Sequence, residues 1–161
     1  MKPVAIFLII ALLIALIGTG YLYTNCRISA TEIMLTTSDA ASQERFFSQL
    51  KQQVADDSVE GVLFDQNLTE NADDYQFLTY SVHLLNQCYI PADMIEFQVT
   101  PAAGDILQIG DTANHTLAAR SEDTFSVTIL TRKDVDAVRE INCSYYLWGI
   151  PFYQKMHYSS Y

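Results

Sequence analysis

Met94-Ile95-Glu96-Phe97-Gln98-Val99 alternates around its apolar positions, so an extended chain places Ile95, Phe97 and Val99 on one face. A helix would put these three on opposite sides of its axis, so the period of two predicts a half-buried strand. The pattern recurs in residues 124–131 through Phe125, Val127 and Ile129. Two longer stretches read the same way. Residues 75–88 carry Leu78, Tyr80, Val82 and Leu84 on one face, and residues 138–148 carry Ile141, Cys143, Tyr145 and Leu147. Shorter candidate strands are Val62-Leu63-Phe64 and residues 106–109, 115–118 and 152–158. Turn chemistry separates them at Ile90-Pro91-Ala92-Asp93, Pro101-Ala102-Ala103-Gly104-Asp105, Gly110-Asp111, Ser121-Glu122-Asp123 and Gly149-Ile150-Pro151.

Seven or eight short strands with no helix between them predict an antiparallel β-sandwich rather than a parallel α/β sheet. One helix is expected upstream, over residues 38–55. Ser38 suits the N-cap, Asp39 the positive end of the dipole, and Phe46, Phe47, Leu50 and Val54 recur at helical spacing. The opposite face is polar, so the apolar stripe is expected to lie on the domain core.

The first 27 residues are of a different kind. Residues 4–23 (VAIFLIIALLIALIGTGYLY) carry no charge and at about 1.5 Å per residue span one hydrocarbon core. Twelve of these 20 are Val, Ile, Leu or Phe, so insertion is favoured despite Gly18 and Gly20. Tyr21 and Tyr23 fall where an interfacial aromatic belt would lie. Lys2 and the terminal amine precede the span and an acidic chain follows it, an arrangement that keeps the N-terminus in the cytoplasm. The competing reading is a signal peptide, with Gly18 and Gly20 at −3 and −1 of a cut before Tyr21 and a secreted domain as the result. A single-pass anchor divides the chain into residues 1–27, a juxtamembrane segment over 28–60 that holds the amphipathic helix, and a β domain over 61–161.

From Ile28 onward seven Lys or Arg face nineteen Asp or Glu, a formal charge of −12. No basic residue occurs between Lys51 and Arg120, so the counterion exchange that drives nucleic-acid binding has no footing here. The three cysteines form no Cys-x-x-Cys pair, and His83, His115 and His157 have no ligand spacing. The run Asp65-Gln66-Asn67-Leu68-Thr69-Glu70-Asn71-Ala72-Asp73-Asp74 offers oxygen at alternate positions. An EF-hand, however, needs Gly at the sixth place and Glu at the twelfth, where Glu70 and Gln76 stand. A non-standard calcium site and a solvated acidic loop remain open for it. Nucleophile-elbow, Ser-x-x-Lys, zinc-protease and phosphate-loop signatures are absent, and no cofactor is expected.

The stretch Tyr80-Ser81-Val82-His83-Leu84-Leu85-Asn86-Gln87-Cys88-Tyr89-Ile90-Pro91-Ala92-Asp93-Met94-Ile95-Glu96-Phe97-Gln98-Val99-Thr100-Pro101 resembles the strand, Asn-rich turn, strand and closing Pro of bacterial immunoglobulin-like surface domains. The resemblance covers about a quarter of the domain and implies a scaffold rather than an activity. It also implies a bridge. Cys88 and Cys143, 55 residues apart in or beside the two longest strands, are separated like the inter-sheet disulfide of immunoglobulin domains.

Seven aromatic residues crowd the last 17 positions: Tyr145, Tyr146, Trp148, Phe152, Tyr153, Tyr158 and Tyr161. Alternation buries some and exposes others, which makes Trp148, Tyr153 and Tyr158 the candidate contact surface. The sequence thus predicts a membrane-anchored, extracytoplasmic binding or assembly module without catalytic activity, meeting lipid through its helix and a protein or glycan through its domain. The alternatives are an accessory subunit of a membrane complex and a hydrolase built on the sandwich.

Overall fold

The charge-free run folds as α1, Lys2–Asn25, in the computed structural model, which describes residues 2–69, 71–110 and 115–158. Its segment Pro3–Tyr21 has a mean hydropathy of 2.6 and is long and apolar enough to cross a membrane. Every described side chain of α1 is exposed, so none of the other described residues covers it. The side chain of Tyr23, read above as interfacial, lies outside the described residues, as do Glu70 of the acidic loop, Asp111 of the expected Gly110-Asp111 turn, and Tyr161.

Beyond α1 the chain is mainly β. In chain order these are β1 (Ile28–Asp39), β2 (Gly61–Leu63), β3 (Tyr75–Asn86), β4 (Ala92–Val99), β5 (Asp105–Ile109), β6 (His115–Leu117), β7 (Glu122–Arg132), β8 (Arg139–Leu147) and β9 (Ile150–Tyr158). They form two antiparallel sheets, ordered β1-β3-β7-β5-β2 and β6-β4-β8-β9. The alternation read from the sequence sets which faces meet. Leu78, Tyr80, Val82 and Leu84 of β3 and Phe125, Val127 and Ile129 of β7 face Ile95, Phe97 and Val99 of β4 and Ile141, Cys143, Tyr145 and Leu147 of β8 in one buried cluster. Each fully buried aliphatic side chain here stabilises the fold by about 1.5–3 kcal/mol.

The first strand, β1, was not expected. It pairs with β3 along its length, from Ile28 opposite Asn86 to Asp39 opposite Gln76. Its inward residues are Ile28 and Ala30, then Ile33 and Leu35, because the register shifts between Ala30 and Glu32. That bulge reverses the parity of the alternation halfway along, so no continuous period of two is present to be read.

Strand β1 also takes in Ser38, whose hydroxyl accepts a hydrogen bond from Gln43 Nε2 rather than capping a helix. A 3-10 turn over Ala40–Gln43 follows, and the helix itself, α2, is Glu44–Ala55. Phe47 and Leu50 are buried against Tyr75 and Phe77 of β3 and Ile106, Leu107 and Leu130, while the Phe46 ring lies tilted against Phe77 at 5.5 Å. The helix therefore covers the outer face of the first sheet only where β3 begins. Further along, that face shows a polar ladder: Thr79 beside Thr128, Ser81 beside Ser126, and His83 beside Thr124, with side-chain contacts of 2.9 to 3.0 Å.

Candidate functional site

Hydrogen bonds divide the β domain into two ends. At one, where the chain leaves α1, Gln87 N–H donates to the Arg27 carbonyl, Asn86 N–H to Ser121 and Arg120 N–H to Cys88. This gathers the β3–β4, β6–β7 and β8–β9 connections beside Cys26, and we call it the tether end. The buried Asn86 organises it. Its Nδ2 donates to the carbonyls of Ile90, Leu117 and Ala118, and its Oδ1 accepts from Cys88 N–H, so one amide satisfies the turn on both sides.

A disulfide fixes the same end, and it is not the one the resemblance implied. Cys88 is bonded to Cys26, one residue past α1, and Cys143 is a buried free thiol. The reason lies in the strand ends: Cys88 sits beyond β3 in the connection to β4, level with the start of β1, whereas Cys143 sits mid-strand opposite Phe97 and Gln154. Burial pushes the Cys143 thiol up to about 12.

The three aromatic candidates separate. Tyr158 is half-buried, its ring 5.7 Å from the core residue Tyr80, so it belongs to the interior. Tyr153 is 79% exposed. It pairs with Ser144 on the outer face of the second sheet, which neither α1 nor α2 covers among the described residues, and β9 is one edge of that sheet. Trp148 stands elsewhere, at the tether end. The expected Gly149-Ile150-Pro151 turn is a two-residue hairpin turn of Trp148 and Gly149, with φ of 54° and 76°, closed by the Leu147–Ile150 pair. Positive φ at both positions is the I′ type, which favours Asn-Gly, so a bulky Trp there is strained.

At the opposite, far end a buried ion pair closes the sheets. Arg139 at the start of β8 donates from Nε and Nη2 to both carboxylate oxygens of Asp105, at 3.0 and 2.7 Å, and from Nη1 to the carbonyls of Val138 and Asp136. Beside it Tyr80 Oη donates to the Ala137 carbonyl at 2.7 Å, and its phenol is raised to about 12 chiefly by burial, with Arg139 opposing. These groups are saturated with partners, which is the signature of a structural role.

A cleft of about 500 Å³ opens between the sheets on the side of the short strands β2 and β6, lined by Val62, Ile95, Phe97 and Val127 with Glu60 and Glu96. Two glycines allow β2 to approach β5 there: a Cβ on Gly61 (φ 141°) would lie 2.1 Å from the Gln108 carbonyl oxygen, and one on Gly110 would lie 2.7 Å from the Glu60 backbone. Gln108 reaches across to β4, accepting from Val99 N–H and donating to the Phe97 carbonyl, both at 2.8 Å.

Thr124, His83 and Glu122 form a chain with contacts of 2.9 Å from Nδ1 to the hydroxyl and 3.5 Å from Nε2 to the carboxylate. A nucleophile, base and acid are ordered this way in hydrolases, but those lie in a cleft beside oxyanion donors. Here the trio lies on an open sheet face, Glu122 is 66% exposed, and the neighbouring rungs are plain hydroxyl pairs, so it is one more rung of the ladder. In the loop of residues 65–74, Asp65 Oδ1 accepts from Asn67 N–H and Nδ2, and Asn71 Oδ1 from Asp73 N–H. The oxygens thus shape the turn, and among the described residues no three His, Cys, Asp or Glu side chains gather as metal ligands. His157 lies 3.8 Å from Glu140, and the His115 ring packs on Phe125 at 5.1 Å.

Sequence reasoning did not single out Cys26, Arg139, Asp105, Asn86 or Gln108. An Arg inside an otherwise apolar-alternating strand was the one readable signal among them.

No family model matches the chain, and a search of curated proteins finds no match either. Among solved structures, the chain is similar to a yeast GGA1 GAE domain at a TM-score of 0.40 and 15% identity, covering 58% of this chain and 96% of that one.

Proposed function

We propose that this protein is a membrane-tethered binding module: an immunoglobulin-like β-sandwich held outside the cytoplasm by α1, acting by protein contact rather than catalysis. The strand order supports the immunoglobulin reading. Sheets β1-β3-β7-β5 and β4-β8-β9 follow the A-B-E-D and C-F-G orders of the constant type, with β2 and β6 added at the edges. The observation that carries the proposal is the Cys26–Cys88 bridge one residue beyond a long apolar helix, because such a bridge persists in an oxidising compartment next to the membrane. The outer face of the second sheet, centred on Tyr153, is the contact surface, since an exposed Tyr offers large area at low entropic cost.

Alkylation of the full chain in denaturant, read by intact mass, is expected to label one thiol before reduction and three after, in protein that stays in the membrane pellet through an alkaline carbonate wash. A photo-crosslinking residue at position 153 is expected to give a discrete protein adduct in native membranes, and one at position 81 on the opposite sheet none. Three thiols free before reduction, or full release by carbonate, overturns the tether and compartment. Equal adducts at 153 and 81 overturn the contact face.

A further inference from the structure

Two separate connections bring apolar side chains to the tether end. Tyr89 of the β3–β4 loop is 64% exposed, and Trp148 and Ile150 of the β8–β9 hairpin 49% each. Register places them together: Asp93 pairs with Tyr146, so the hairpin tip extends past the start of β4 to the level of the β3–β4 loop. That loop is covalently joined, through Cys88 and Cys26, to the end of α1. Arg120 lies over the Tyr89 ring at 4.1 Å, and the Arg27 carbonyl accepts from Gln87 N–H of the same loop.

We propose that the tether end is seated in the bilayer that holds α1, with Trp148, Tyr89 and Ile150 in the boundary between headgroups and acyl chains; this rests on α1 being a membrane anchor. The occupant follows from reach, since the bridge leaves one residue between the helix and the end that carries these side chains. Aromatic rings with an apolar body and a polar edge partition to that depth. Asp93, Glu122 and Asp123 at the same end offset Arg27 and Arg120, so apolar contact rather than attraction to anionic lipid provides the grip. The domain is then held at two points on its base, with Tyr153 and the far end turned outward.

Trp148 is the chain's one tryptophan, so its fluorescence reports on this site alone. The full chain is reconstituted into phosphatidylcholine vesicles and floated on a density gradient. Protein that floats should show blue-shifted emission, quenched about twofold or more when the lipid is brominated near the headgroup end of its acyl chains, and be shielded from acrylamide. The double variant Trp148→Tyr, Tyr153→Trp moves the probe to the outward face and should show the reverse. Replacing part of the lipid with phosphatidylglycerol should change neither result. Floating protein whose Trp148 is open to acrylamide and untouched by brominated lipid overturns the docking and leaves the anchor standing. Protein that does not float overturns the anchor and the docking with it. Equal lipid quenching at both positions, or quenching that requires the anionic lipid, also overturns the proposal.

Discussion

The two ends of the β domain are closed by opposite chemistry. At the tether end a disulfide and one amide with four hydrogen bonds hold the connections, and Tyr89, Trp148 and Ile150 are exposed among charged neighbours. At the far end a buried Arg–carboxylate pair closes the sheets, α2 covers the outer face, and the exposed residues are largely acidic. The contrast separates what each end must withstand. A covalent bond keeps its strength wherever the local dielectric changes, whereas an ion pair depends on a fixed, dry setting that only the end away from α1 and its surroundings is free to provide.

Changing one partner of the far-end pair tests that division most severely. Arg139→Ala strands the Asp105 carboxylate, which is 0% exposed, and should cost about 3–5 kcal/mol in urea unfolding. Replacing Cys26 and Cys88 together by Ala should cost about 4 kcal/mol, the chain entropy released by opening a 62-residue loop, and should leave the far end's ion pair intact. If hydrogen exchange then rises equally at both ends, they are not separate in the sense argued here.

The aromatic residues sharpen the comparison within one strand. Tyr158→Ala removes a half-buried ring from Tyr80 and should lower stability by about 2 kcal/mol, while Tyr153→Ala should stay within about 0.5 kcal/mol. Trp148→Asn should have the opposite sign, raising stability by about 1 kcal/mol in thermal unfolding in detergent, because Asn accepts the left-handed turn that Trp occupies under strain. The smallest effect concerns Glu140. Its hydrogen bond from Lys155 lowers its carboxyl below the ordinary 4.5, so it contributes stability above that pH that is lost as pH falls through the folded value. Glu140→Gln should remove this small acid-side dependence and leave the neutral-pH midpoint nearly unchanged.

Alternation and turn chemistry made eight of the nine strands and the shared core legible, because both are local properties. Strand β1 was hidden by its bulge, and the helix began six residues later than Ser38 suggested because the strand continued through it. The bridge was misassigned for a related reason. Strand length and separation favoured Cys143, but pairing depends on which strand ends meet, and that is set by the unread β1. Arg139 and Asp105 lie 34 residues apart, so their convergence was a property of topology alone. Of the contact candidates, alternation distinguished inward from outward only where strand phase was known, which left Trp148 in a turn one residue from where the sequence put it.

The buried Cys143 bears on how the chain acquires its bridge. Three thiols allow three pairings, and thiol–disulfide exchange proceeds through thiolate. Burial raises the Cys143 thiol to about 12, so little thiolate forms at neutral pH, and its place mid-strand opposite Phe97 and Gln154 sets it apart from the strand ends where Cys26 and Cys88 meet. Closing the sheets therefore withdraws the third thiol from the exchange. Once Cys26 and Cys88 have joined, the third thiol is buried mid-strand and poorly ionised, so editing of a wrong pairing belongs chiefly to the time before the core forms.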